Sequence, residues 1–329
     1  MHNEIDIVIT WVDGSDPAWL AEKKKYTPCK NNDDRVNRYR DWGFLPYVFR
    51  GIEQYAPWVR KIHFVTWGHL PQWLNTEHPK LNIVNHTDYI PEKYLPVFSA
   101  NPIELNFHRI DDLSENFIYF NDDTLLINPA APDVFFKNGL PVDTVCEVPL
   151  RFNPGGIDHI IGNDMMLINK NFNKREVIKK NFKKWFSPRS PKATLKNLYM
   201  FAANGFSQFD NPHLPLPLLK STIETLWKKE NAILDDTCSH RFRSNDDVNQ
   251  WLIRYWQFAT GKFIQASKPQ GKFFSIGKHD EQMVDALSSS KYKMVCLSDD
   301  NPDIDFEKEK KFVLDLLDKK FPQKSSFEK

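Results

Sequence analysis

Residues 117–126 read FIYFNDDTLL. Phe-Ile-Tyr-Phe shows no polar alternation, so it reads as a strand buried on both faces, the kind found in parallel sheets covered by helices. Asn121, Asp122 and Asp123 follow at once. Adjacent carboxylates at the end of a buried strand repel each other and resist losing water. A divalent cation, Mg²⁺ or Mn²⁺, would neutralise them and bridge a substrate's phosphates through hard oxygen ligands. The plainer alternative is an Asp pair capping the next turn.

Similar runs recur outward from this stretch. IDIVIT (5–10) breaks into WVDGSDP, and KIHFVTWG (61–68), LNIVNHTD (81–88) and YKMVCLSDD (292–300) are further candidate strands. Helices are expected over about 40–55 and 244–260. Strands alternating with helices predict an α/β fold with a mainly parallel sheet. Ligands in such sheets bind beyond the carboxyl ends of the strands. Asp13, Asp16, His86, Asp88, Asp122 and Asp123 all follow predicted strands and are expected along one edge. The expected organisation is a single catalytic domain over 1–317. Its α/β core covers about 1–170 and 236–300, a basic helical insertion about 171–235, and a flexible tail 318–329.

Composition narrows the function. A formal net charge of +1 argues against nucleic acid as the main partner. The four cysteines, Cys29, Cys146, Cys238 and Cys296, are widely spread with no C-x-x-C, which fits a reducing compartment better than a zinc or disulfide framework. No signal peptide or membrane-length apolar run is present, so the cytoplasm is expected, against a membrane or free of it. Aromatic residues at 14% suit either a sugar-stacking surface or a large core.

Residues 171–196 hold nine Lys or Arg against one Glu. They read as a basic, partly amphipathic helix, either a solvated face or a contact with an anionic membrane or polymer. NPHLPLP (211–217) is too proline-rich for a helix and holds His213 in a stiff backbone, as an acid, base or nucleophile requires. Val248, Trp251, Leu252, Tyr255 and Trp256 form one helical stripe, with Ser244 and Asp247 resembling a capping box. Arg241 and Arg243 just ahead suit a phosphate clamp at a helix start, although Asp246 and Asp247 serve the helix dipole equally well. Gly14 between Asp13 and Asp16 fits a nucleotide loop or a simple turn. Gly155-Gly156 matches no known phosphate loop, and no G-x-S-x-G, Walker or G-x-G-x-x-G sequence occurs.

Taken together, IDIVITWVDGSDPAW (5–19), LPYVFRGIEQYAPWVRKIHFVTWGHLPQWLN (45–75), IELNFHRIDDLSENFIYFNDDTLL (103–126), HLPLPLL with HRFRSNDDVNQWLIRYW (213–256), and KYKMVCLSDDN (291–301) resemble, in order, the blocks of the Stealth family. These are bacterial capsular polysaccharide phosphotransferases, similar to the catalytic subunit of the lysosomal-enzyme N-acetylglucosamine-1-phosphotransferase. The resemblance implies a GT-A-like Rossmannoid core with helical insertions and dependence on Mg²⁺ or Mn²⁺. It implies a UDP-sugar donor, with UDP-N-acetylhexosamine typical, and a glycan or polysaccharide acceptor. Sugar-1-phosphate goes to the acceptor hydroxyl and UMP leaves; a GT-A glycosyltransferase releasing UDP is the alternative. Carried over by position, the catalytic set is Glu104, Asp123, His213 and Arg243. Asp122 and Asn121 assist Asp123 at the metal, and Asp13, Gly14 and Asp16 form the donor loop. Two departures stand out: Trp67-Gly68 replaces the usual Asp-Gly or Asp-Asn, and HLPLPLL lacks a basic residue near its second proline.

Overall fold

A computed structural model of the protein describes residues 4–27, 40–153, 156–301 and 303–329, so Cys29 and Gly155 lie outside the described residues. Five strands make the central sheet, in the order β10 (Leu216–Leu219), β4 (Asn116–Phe120), β1 (Ile5–Thr10), β2 (Ile62–Thr66) and β3 (Leu81–Asn85). All neighbours are parallel except β10, which runs antiparallel to β4. The α/β fold with a mainly parallel sheet is therefore as expected. Val8, Phe117 and Tyr119 enter one hydrophobic core, while Ile7, Ile9, Ile118 and Phe120 enter another on the opposite face. Burial on both faces explains why neither β1 nor β4 alternates in sequence.

A second sheet joins β12 (Gly271–Ser275), β13 (Met294–Ser298) and β5 (Thr124–Leu126), in that order. Among the described residues two small sheets complete the set: β6 (Phe136–Lys137), β7 (Leu140–Asp143) and β11 (Ile264–Gln265), and the pair β8 (Glu147–Val148) and β9 (Gln208–Phe209). The stretch at 116–126 is thus two strands rather than one. The chain leaves the central sheet at Asn121–Asp123 and re-enters as β5 against β13. The helix Leu45–Tyr55 lies on β5 at a glycine, because a Cβ on Gly51 would stand 2.5 Å from the Leu126 carbonyl oxygen.

Three local expectations are corrected. The basic stretch is not one helix but Lys174–Lys180, Phe182–Trp185 and Pro191–Met200. Lys174 is fully buried, donating to Glu147 at 2.9 Å and to the Met200 carbonyl at 2.6 Å, so one of the nine cations is a core residue. The helix at 244–260 begins only at Gln250, where Asn249 accepts from the Trp251 N–H at 3.0 Å. Ser244 and Asp247 close a turn ahead of it instead. The tail is docked rather than flexible. A helix runs through Lys320, Phe321 and Phe327 are buried, and Glu328 receives the Arg50 guanidinium at 2.7 Å. Two phenylalanines anchor a segment whose polar composition reads as frayed.

Candidate active site

The parallel strands β1 and β4 end side by side, and the segments leaving them open into one cleft of about 680 Å³. Thr10–Val12 enter it after β1, His86 after β3, and Asn121–Asp123 after β4. Because β10 is antiparallel to β4, with Leu216 opposite Tyr119, the residues before it arrive at this same edge; His213 lines the cleft. β13 is antiparallel to β5, so the Asp299-Asp300 pair beyond its end reaches the wall already occupied by Asp122 and Asp123. Glu104 comes from the short helix Ala100–Leu105, capped by Ser99, and Arg243 from the turn before Gln250.

Glu104, Asn121, Asp122, Asp123, His213 and Arg243 are therefore brought together. Asp13, Gly14 and Asp16 do not line the cleft. Asp13 accepts from the Ser15 N–H and hydroxyl, and Asp16 caps the helix Pro17–Tyr26 through the Trp19 N–H at 2.7 Å. His69 on the adjoining loop accepts from the Asp13 N–H at 2.8 Å and fixes this turn. Asp88 likewise closes a local turn, accepting from the Asn85 N–H.

Asp6 shows how a satisfied buried acid looks in this protein. Burial would raise it, but His63, the Arg60 guanidinium and the Ser114 N–H hold it well below the usual carboxylate range. The cleft acids differ. Glu104 is 3% exposed; Tyr119 donates to its Oε1 at 2.7 Å, and Oε2 has no hydrogen-bond partner. Burial pushes Glu104 up to about 7, restrained by Tyr119, the Arg243 charge and the Gln250 N–H. Asp123 Oδ2 accepts a weak bond from the Cys296 thiol at 3.4 Å, and its buried Oδ1 has no partner among the described residues. Its carboxyl is raised by burial and restrained by His213. Enclosure by the cleft walls lifts Asp122 to about 7, with the Asp123 charge adding to it. The Asp122 side chain nevertheless opens to the cleft's solvent, which moderates that rise. Buried oxygens left without donors in native proteins call for an explanation such as an unfilled ligand or ion position.

The cationic side is held firmly. Asp247, fully buried, accepts from His240 Nδ1 at 2.7 Å, Asn101 Nδ2 at 2.8 Å and the Ser244 N–H at 3.0 Å. That knot sets the turn carrying Arg243, whose Nε is buried without a partner. Arg243 lies on this turn rather than at a helix N-terminus. His213 sits at φ 48°, the left-handed region rare for a side-chain-bearing residue, between ring contacts with Trp251 and Phe273. Two contributors are not legible in the sequence. Tyr119 hides its hydroxyl inside an apolar run, and Trp251 looks like ordinary helix core. The Asp299-Asp300 pair is visible there, but only antiparallel pairing brings it here.

A metal's fit can be tested on these groups. Among the described residues no three acid, His or Cys side chains form a ready cage. Two adjacent carboxylates with an orphaned oxygen instead suit Mg²⁺ or Mn²⁺, which take one or two carboxylates and complete their shells with phosphates and water. The donor set fits.

The chain matches the models of Stealth protein conserved region 1 over residues 3–28 and conserved region 2 over 38–142. It is 40% identical to a capsular polysaccharide phosphotransferase, WcwK, of Streptococcus pneumoniae, over 99% of this chain and 98% of that one. It is also 40% identical to the receptor polysaccharide phosphotransferase WefC of Streptococcus oralis, over 99% of each. The exopolysaccharide phosphotransferase cps2G of Lactiplantibacillus plantarum is 35% identical over 99% of this chain and 96% of that one. Among solved structures, the galactosyltransferase LgtC aligns over 98% of both chains at 10% identity and a TM-score of 0.39, too distant to carry weight. Matching both conserved regions and aligned end to end with these relatives, the chain belongs to the Stealth family.

Proposed function

We propose that the protein is a phosphotransferase of surface-polysaccharide synthesis. It moves a sugar-1-phosphate, N-acetylhexosamine-1-phosphate in the leading reading, from a UDP-sugar to a glycan hydroxyl. The observation that carries this is the meeting of Glu104, Asp122, Asp123, His213 and Arg243 in one cleft, with orphaned oxygens on Glu104 and Asp123 and an orphaned Nε on Arg243. The relatives' printed activities support it.

In the reaction, the acceptor oxygen bonds to the sugar-bearing phosphorus, the bridging oxygen departs with UMP, and the acceptor's proton must go elsewhere. Asp123, with Asp122 and Asn121, would hold Mg²⁺ or Mn²⁺, which supplies charge neutralisation on the diphosphate. Arg243, held by the Asp247 turn, faces the negative charge that grows on the transferred phosphoryl oxygens. His213 takes the acceptor proton, or attacks phosphorus first and passes the group on; the two routes give opposite stereochemistry at phosphorus. Glu104, poised near neutrality beside Arg243, orients that arginine or receives an acceptor hydroxyl. The place of action we propose is the cytoplasm at the inner face of the membrane. No described helix is long and apolar enough to cross one.

The test is nucleotide analysis by mass spectrometry after incubation with UDP-N-acetylglucosamine, Mn²⁺ and a glycan panel. UMP together with an acceptor heavier by a sugar phosphate is expected. UDP with a plain glycoside would overturn the proposal in favour of a glycosyltransferase.

A further inference from the structure

Between Val177 and Phe209 the chain has seven Lys or Arg and no Asp or Glu, within a protein of formal net charge +1. The same stretch exposes five large apolar side chains: Phe182 59%, Leu195 67%, Leu198 54%, Tyr199 78% and Phe201 40%. On the helix Pro191–Met200 the buried stripe is Ala193, Asn197 and Met200. Leu195, Leu198 and Tyr199 occupy the opposite face, beside the exposed Lys192 and Lys196. A surface helix normally turns its one apolar stripe inward; this helix keeps a second pointed at solvent. The patch extends past the helix: the Phe201 ring lies 6.2 Å from Phe186, and Phe186 lies 4.9 Å from Phe182, next to the exposed Lys183.

We propose that this face, centred on Leu195, Leu198 and Tyr199, docks on an anionic lipid bilayer. The inference rests on the proposed place of action at the membrane and names its surface and lipid class. It also moves the contact from the basic segment as a whole to an apolar face with a cationic border. Leu195 and Leu198 offer nothing to sugar hydroxyls, which disfavours a glycan. A two-fold contact with a second copy would set like charges against each other. Apolar side chains at the acyl boundary with lysines at anionic headgroups satisfy both components at once.

The experiment is co-sedimentation with vesicles of phosphatidylglycerol and phosphatidylcholine against phosphatidylcholine alone, at 0.1 M NaCl. It compares wild type, Leu195→Ser/Leu198→Ser/Tyr199→Ser and Lys192→Glu/Lys196→Glu. Wild type is expected to bind the anionic vesicles at least tenfold more tightly than the neutral ones. Each variant should lose at least tenfold, with circular dichroism and turnover on a soluble acceptor unchanged. Wild type indifferent to the anionic vesicles, or a serine variant that binds like wild type, overturns the proposal. Variants that keep vesicle binding but lose an anionic polysaccharide would assign the face to glycan instead. Self-association abolished by the serine substitutions would assign it to a second copy. UMP release is read separately, so failure here leaves the proposed reaction standing, and failure there leaves the docking result readable.

Discussion

Replacing Glu104 by Gln separates the physics of the cleft from its chemistry. Glu104 is 3% exposed and its carboxyl is pushed from the ordinary 4.5 up to about 7, mainly by burial. The native state therefore holds a proton that the unfolded chain gives up. Its stabilising contribution is fully present below the unfolded pKa near 4.5 and is lost as pH rises through about 7. Across that window the loss amounts to about 3 kcal/mol, at ~1.4 kcal/mol for each unit of separation. Gln keeps the shape and an oxygen for the Tyr119 hydroxyl, and it does not titrate. Urea unfolding of both proteins without metal at pH 5 and pH 8 reads the effect. The variant should gain about 2.5 kcal/mol relative to wild type between the two pH values, because part of the loss is already present at pH 5, while turnover falls by ~10²-fold or more if Glu104 handles a proton. A stability difference that is the same at both pH values would refute the reasoning, because it would mean that Glu104 is already ionised at pH 5 in the fold.

Because Asp122 and Asp123 hold their protons higher than free carboxylates, Mn²⁺ should raise the melting temperature more at pH 8 than at pH 6. Asp123→Asn should abolish that rise, and an unchanged rise in the variant would remove Asp123 from the metal. Lys174→Met leaves Glu147 buried without its cation and should destabilise by about 3–5 kcal/mol in urea; a loss below about 1 kcal/mol would show Glu147 to be neutral already. Phe327→Ala, at a side chain 2% exposed, should cost about 3–5 kcal/mol. No measurable change on unfolding would mean that the tail does not dock.

The strand positions of the central sheet are legible in the amino-acid order, because burial on both faces favours runs without polar alternation, such as residues 7–9 and 117–120. The acids after β4 are equally legible, since two adjacent carboxylates beside such a run repel each other and resist losing water. Helix starts are less so: Asp247 does bond back to the Ser244 N–H, but the two close a turn, and the helix takes its cap from the buried Asn249. Asp13 and Asp16 read like ligands but close their own turn, which spacing alone does not distinguish. Convergence, by contrast, is a property of the folded chain. Antiparallel pairing of β10 with β4 and of β13 with β5 brings His213 and Asp299-Asp300 to the acids, across separations that no local pattern encodes. The outward apolar face of Pro191–Met200 belongs to the same class. Periodicity shows that a helix has two stripes, but only packing shows which of them the core has taken.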